Sequence, residues 1–199
     1  MITRRPFLAA LLMPASAMAS APSTFTSHFD GARLQNQDGR AFTPAVLACK
    51  TVLYNFVFTG CSTVCPVQTK VLADVQKRLP PAVLDRVLFV SVSLDPLSDT
   101  PAALKAYALQ MGADLRHWQF VTGRPEDIER VADRLRLFKD GAARRPDDHA
   151  TNLWLADRDG QLRQRYPGNP PDAARLVAEL TQLDGLTQQA ACKPPSRSR

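Results

Sequence analysis

No stretch near the start of this chain is apolar for long enough to cross a bilayer. Phe7 to Met13 gives seven apolar residues, or roughly a dozen with the alanine-rich end, against the about 20 that a transmembrane helix needs. The chain has no repeat of fixed period and no long charge run, which excludes solenoid and charge-driven disordered architectures. Basic charge is not concentrated either. Of the formal charge of +6, Arg4 and Arg5 lie in the leader and Lys193, Arg197 and Arg199 in the last seven residues, which leaves about +1 between them. Lysine and arginine there are interspersed with acidic residues, so a nucleic-acid footprint is excluded. Histidine is scarce, with three residues, and cysteine limited to four. Any chemistry built on these side chains has few candidates.

With an apolar share of 45% and 199 residues, the rest of the chain suits one globular domain with appendages. Residues 1–19 read as an export signal peptide: Arg4 and Arg5 form the charged region, an Ala- and Leu-rich stretch follows, and Ala17-Met18-Ala19 is a small-x-small cleavage site. The paired arginines before Phe7 and Leu8 fit a twin-arginine signal as well as the general secretory route. The expected location is the periplasm, with no membrane anchor left after cleavage. Residues 25–185 are expected to form the domain and 186–199 a disordered basic tail.

Asn36, Asp38 and Gly39 mark a turn between two short strands, an N-terminal β-hairpin. Thr51–Phe58 and Val87–Leu94 are dense in β-branched and aromatic residues, as strands buried on both faces are. The first leads to Cys61 and to a helix expected to open at Pro66, with an apolar stripe of Val67, Val71, Leu72, Val75 and Leu79. Thr100-Pro101 caps a helix that stops at Gly112. A strand at Trp118–Val121 and a helix at Pro125–Phe138 follow, then a polar loop to Asp148. Thr151–Ala156 and Gln161–Tyr166 form a hairpin about Asp159-Gly160, and a helix from about Asp172 to Leu183 closes the domain. Strand and helix alternate, which predicts an α/β fold: a thioredoxin-like mixed β-sheet flanked by helices, with the N-terminal hairpin added.

Cys61 and Cys65 stand between a buried strand and a helix start, the edge where open α/β sheets place ligands. Unpaired amides at a helix N-terminus favour thiolate over thiol. The three-residue separation turns both side chains to one side, which serves a disulfide or a soft metal alike. A metal such as Cu(I) or Cu(II) calls for a third donor, expected to be histidine. His28 and His117 read as surface or structural residues, whereas His149 ends the polar loop, flanked by Asp147 and Asp148, which are placed to orient an imidazole. A thiol peroxidase is disfavoured because Phe58 stands where its proline is needed. Asp95 sits on the same edge and reads as a turn start. Cys49 and Cys192 form either a structural disulfide or two free thiols.

The blocks Phe56–Pro66, Ser91–Pro96 with Asp99-Thr100-Pro101, and His149 ahead of Leu153–Asp157 together resemble the SCO/SenC family of copper chaperones. The resemblance runs from about Phe25 to Leu183. It implies copper ligation by Cys61, Cys65 and His149, and delivery of copper to a cytochrome c oxidase subunit or another copper-accepting protein during oxidase assembly. The alternative it leaves is an exported thiol-disulfide oxidoreductase in which Cys61 and Cys65 are catalytic. Many family members carry Pro and Asp between the cysteines, where this chain has Ser62, Thr63 and Val64.

Overall fold

A computed structural model of the chain describes residues 24–141 and 144–187. The leader at 1–19, residues 188–199 and therefore Cys192 lie outside the described residues. A single 3-10 turn at Phe25–Phe29 precedes the hairpin of β1 (Leu34–Asn36) and β2 (Ala41–Phe42). The Asn36 side chain closes its turn by accepting from the amides of Asp38 and Arg40, each at 3.0 Å, and Gly39 takes the required φ of 72°. The short helix α1 (Pro44–Leu47) leads to β3 (Thr51–Val57), then α2 (Val64–Arg78), α3 (Pro81–Leu84), β4 (Val87–Ser93), α4 (Pro101–Met111), β5 (Trp118–Gly123) and α5 (Pro125–Arg134). The chain ends with β6 (Leu153–Ala156), β7 (Leu162–Tyr166) and α6 (Ala173–Thr187).

The seven strands form one sheet in the order β2-β1-β5-β4-β3-β6-β7. β3, β4 and β5 run parallel and the outer pairings are antiparallel. This is the thioredoxin-like mixed sheet expected from strand-helix alternation, since each parallel neighbour needs a helical crossover. Side-chain alternation along β3 divides the core in two: Val52, Tyr54 and Phe56 face the layer of α5 and the N-terminal segment, while Leu53 faces α2, α4 and α6. Both faces are covered, which is why every residue of β3 and β4 is buried. Among the described residues no helix is long and apolar enough to cross a membrane.

Four expectations about helices need correction. α2 starts at Val64, two residues before Pro66, so Cys65 lies within the first turn. Proline is tolerated there because first-turn amides have no intrahelical acceptor to lose. Its buried face keeps Leu72, Val75 and Leu79 of the expected stripe, but Val67 is 48% exposed and Gln68, Thr69 and Gln76 point inward instead, each supplied with a hydrogen-bond partner. α5 stops at Arg134 rather than Phe138. Arg136 adopts φ 50°, and the Leu137 amide reaches back to the Ala132 carbonyl at 3.0 Å, a left-handed closure that buries Leu137. The closing helix runs on to Thr187, past the end expected at about Leu183.

Phe89 at the centre of β4 is fully buried, its ring centroid 5.2 Å from that of Trp118. Truncating such a ring loses transfer free energy and leaves a cavity. Phe89→Ala is expected to destabilise the domain by about 3–5 kcal/mol in equilibrium denaturant unfolding, with both thiols retained.

Candidate metal and dithiol site

The C-terminal end of β3 delivers the chain to Phe58, Thr59, Gly60 and Cys61, and a buried carboxylate fixes its course. Asp99 accepts from the Thr59 amide at 3.1 Å, from the Thr59 hydroxyl at 2.5 Å and from the Ser93 hydroxyl at 2.5 Å. It thereby joins the end of β3 to the end of β4. The turn that positions Asp99 begins at Asp95, whose carbonyl accepts from the amides of Ser98 and Asp99. Asp95 is a turn residue, as expected. The sequence reading of the Asp99-Thr100-Pro101 block gives Asp99 itself no role. Thr100 does cap α4, accepting from the Ala103 amide at 3.2 Å, but Asp99 beside it has the larger role at the site.

Cys61 and Cys65 are both free thiols brought to the start of α2. The Cys65 amide donates to Cys61 Sγ at 3.3 Å. The two environments differ. Burial works to raise the Cys61 thiol, but donation from the Cys65 and Thr63 amides outweighs it and holds the group below its usual value. Cys65 packs under Val57 and Phe58, and burial, reinforced by the Cys61 and Asp99 charges, pushes its thiol up to about 12. Cys61 is therefore the half-buried, more acidic member and Cys65 the buried, protonated one. Below Cys65, the Thr69 hydroxyl donates to the Cys65 carbonyl at 2.7 Å and meets the Tyr107 hydroxyl at 2.9 Å, which fixes the first turn against α4.

His149 follows the 3-10 turn at Pro146–Asp148 and is 9% exposed. Its Nδ1 lies 2.9 Å from the Ala150 carbonyl. A carbonyl only accepts, so Nδ1 is assigned the proton and Nε2 carries the lone pair. Asp147 and Asp148 do not orient the ring as expected: Asp148 pairs with Arg145 at 3.3 Å, and Asp147 acts only through its charge. Burial lowers the imidazole below its ordinary value of 6.5, against the opposing Ala150 bond and Asp147 charge. The ring is neutral at pH 7, and because the unfolded chain binds its proton first, this group erodes stability only as pH falls below about 6.5.

The donor chemistry fits a soft metal: two free sulfurs at one helix start and a neutral imidazole with its Nε2 lone pair available. Among the described residues, however, no three His, Cys, Asp or Glu side chains form a group that could hold a metal ion. The structure brings Cys61 and Cys65 together and does not draw His149 into such a group with them. His28 bonds the Phe25 carbonyl at 2.8 Å and His117 lies 3.8 Å from Asp85, both away from the pair, in line with their structural reading. Cys49 is disulfide-bonded.

The sequence matches the family described as SCO1/SenC over residues 18–184. It is 34% identical over 140 residues to the SCO1 protein homolog of Bacillus subtilis (strain 168), across 67% of this chain and 70% of that one. Among solved structures it is similar to Bradyrhizobium japonicum ScoI with copper bound, with a TM-score of 0.62 and 27% identity over 76% of this chain and 96% of that one. It is also similar to BsSco, a member of the Sco family of cytochrome c oxidase assembly proteins in which a disulfide switch was identified. There the TM-score is 0.64, with 28% identity over 77% of this chain and 91% of that one.

The unequal thiols have a direct consequence. With limiting iodoacetamide at about pH 8, Cys61 is expected to be alkylated more than about tenfold faster than Cys65, as read by peptide mass spectrometry. Equal rates contradict the asymmetry.

Proposed function

The chain belongs to the SCO1/SenC family, and on that premise we propose that it is a copper metallochaperone serving cytochrome c oxidase assembly. The observation that carries the reading is the free Cys61–Cys65 pair at the start of α2, with an amide donating to the outer sulfur, in a chain similar to a copper-bound ScoI. Thiolates are soft donors that suit Cu(I), and an imidazole added to two thiolates makes a site that also accepts Cu(II). Cys61 and Cys65 hold the copper cargo, and His149 Nε2 supplies the third donor. Release needs no turnover chemistry, because cysteines on a copper-accepting partner, such as a cytochrome c oxidase subunit, exchange for these ligands. The leader at 1–19 carries the chain to the periplasm, where cleavage leaves it soluble.

The thiol asymmetry favours a second reading, a thiol-disulfide oxidoreductase. Cys61 thiolate attacks a partner disulfide, forming a mixed disulfide and expelling one partner thiolate. Cys65 then loses its proton and attacks Cys61 Sγ, which expels the second partner thiolate. The partner gains two electrons and this chain keeps the Cys61–Cys65 disulfide.

Equilibrium copper titration of the reduced protein separates the two readings. The chaperone reading predicts one copper per chain, loss of Cu(I) and Cu(II) in Cys61→Ser and Cys65→Ser, and at least about tenfold weaker Cu(II) binding in His149→Ala with disulfide exchange unchanged. If copper is not retained with both thiols reduced, that reading fails and the oxidoreductase stands in its place.

A further inference from the structure

Gln68 lies one helical turn beyond Cys65, on the buried face of α2, and is 2% exposed. Its amide nitrogen donates to two backbone carbonyls, those of Thr151 and Gly168, each at 2.8 Å. Its amide oxygen accepts from Asn55 Nδ2 on β3 at 2.8 Å. Asn55 Oδ1 in turn accepts from the Ser91 hydroxyl on β4 at 2.6 Å, and Ser91 Oγ accepts from Trp118 Nε1 on β5 at 2.8 Å.

Every orientation in this chain of bonds is forced. The two backbone carbonyls only accept, so the Gln68 NH2 must face them and both of its protons are used, which leaves Gln68 Oε1 for the Asn55 NH2. Asn55 Oδ1 then takes the Ser91 proton, and Ser91 Oγ accepts from the indole N–H. The crossing has no slack. A Cβ at Gly168 would stand 1.9 Å from the Thr151 oxygen and 2.2 Å from Gln68 Nε2, so only glycine lets the backbone come this close.

Thr151 is two residues beyond His149, and Gln68 three beyond Cys65. One buried amide therefore ties the helix that presents the dithiol to the segment that presents the imidazole. We infer that Gln68 is a positioning residue, holding the His149 segment in reach of the Cys61–Cys65 pair so that the three donors assemble on Cu(II). This deepens the copper reading and rests on it. Gln68 itself touches no copper, and Cu(I) held by the two thiolates does not depend on it.

The experiment uses the full reduced chain with Gln68→Met, close in size and without donors, beside His149→Ala and the double variant. Gln68→Glu, which keeps the acceptor for Asn55 and loses both donors, replaces the methionine variant should that not fold. The expected result is a 10- to 100-fold loss of Cu(II) affinity, the range for residues that orient metal ligands, with Cu(I) affinity and Cys61 alkylation unchanged within about threefold. Added to His149→Ala, the same change is expected to cost less than about threefold more, because the two act on one ligand. In the copper-free protein, amide exchange at residues 150–152 should accelerate. Parental Cu(II) affinity in Gln68→Met overturns the positioning role. An equal further loss in the His149→Ala background overturns it too, since that marks general destabilisation. If His149→Ala alone leaves Cu(II) binding intact, the copper reading itself loses its third ligand, an outcome visible without any change at Gln68.

Discussion

The site depends on the hydrogen bond from the Cys65 amide to Cys61 Sγ, which forms because α2 begins inside the cysteine loop. A helix start leaves its first amides without partners. Here one of them meets a sulfur, so the outer thiol is held as the more acidic of the pair while the inner one is buried under Val57 and Phe58. Both proposed chemistries draw on this single arrangement. A soft metal needs the thiolates, and disulfide exchange needs one reactive thiol and one in reserve.

Two buried polar systems keep the arrangement in place. Asp99 spends its oxygens on Thr59 and Ser93, so the approach to Cys61 is fixed by the ends of β3 and β4 together. The Trp118-Ser91-Asn55-Gln68 chain crosses the sheet and reaches the backbone beyond His149. Buried polar groups are costly unless satisfied, and these are satisfied by partners on different elements, which is how they set the relative placement of those elements.

Much of this was legible in the amino-acid order. Thr51–Phe58 and Val87–Leu94 read as doubly buried strands because runs with so few polar residues suit no half-exposed element, and the Asn36-Asp38-Gly39 turn announced the hairpin. The site was legible as a cysteine pair at a strand-to-helix edge. The rest was hidden for physical reasons. Gln68 and Thr69 are absent from the expected apolar stripe of α2 because periodicity counts only apolar side chains, and it is tertiary partners far along the chain that turn them inward. Phe138 looked helical because the apolar spacing continues past Arg134, whereas the left-handed Arg136 ends the helix. The aspartates beside His149 were plausible partners for its ring by proximity, but the adjacent Ala150 carbonyl takes Nδ1 instead.

The central claim is that this dithiol and His149 make one copper site. X-ray absorption at the copper K-edge of the Cu(II)-loaded chain tests it most directly. The account predicts two sulfur scatterers and at least one imidazole nitrogen around each copper, with the imidazole signature lost in His149→Ala. A first coordination shell of oxygen and nitrogen alone, without sulfur, would contradict it.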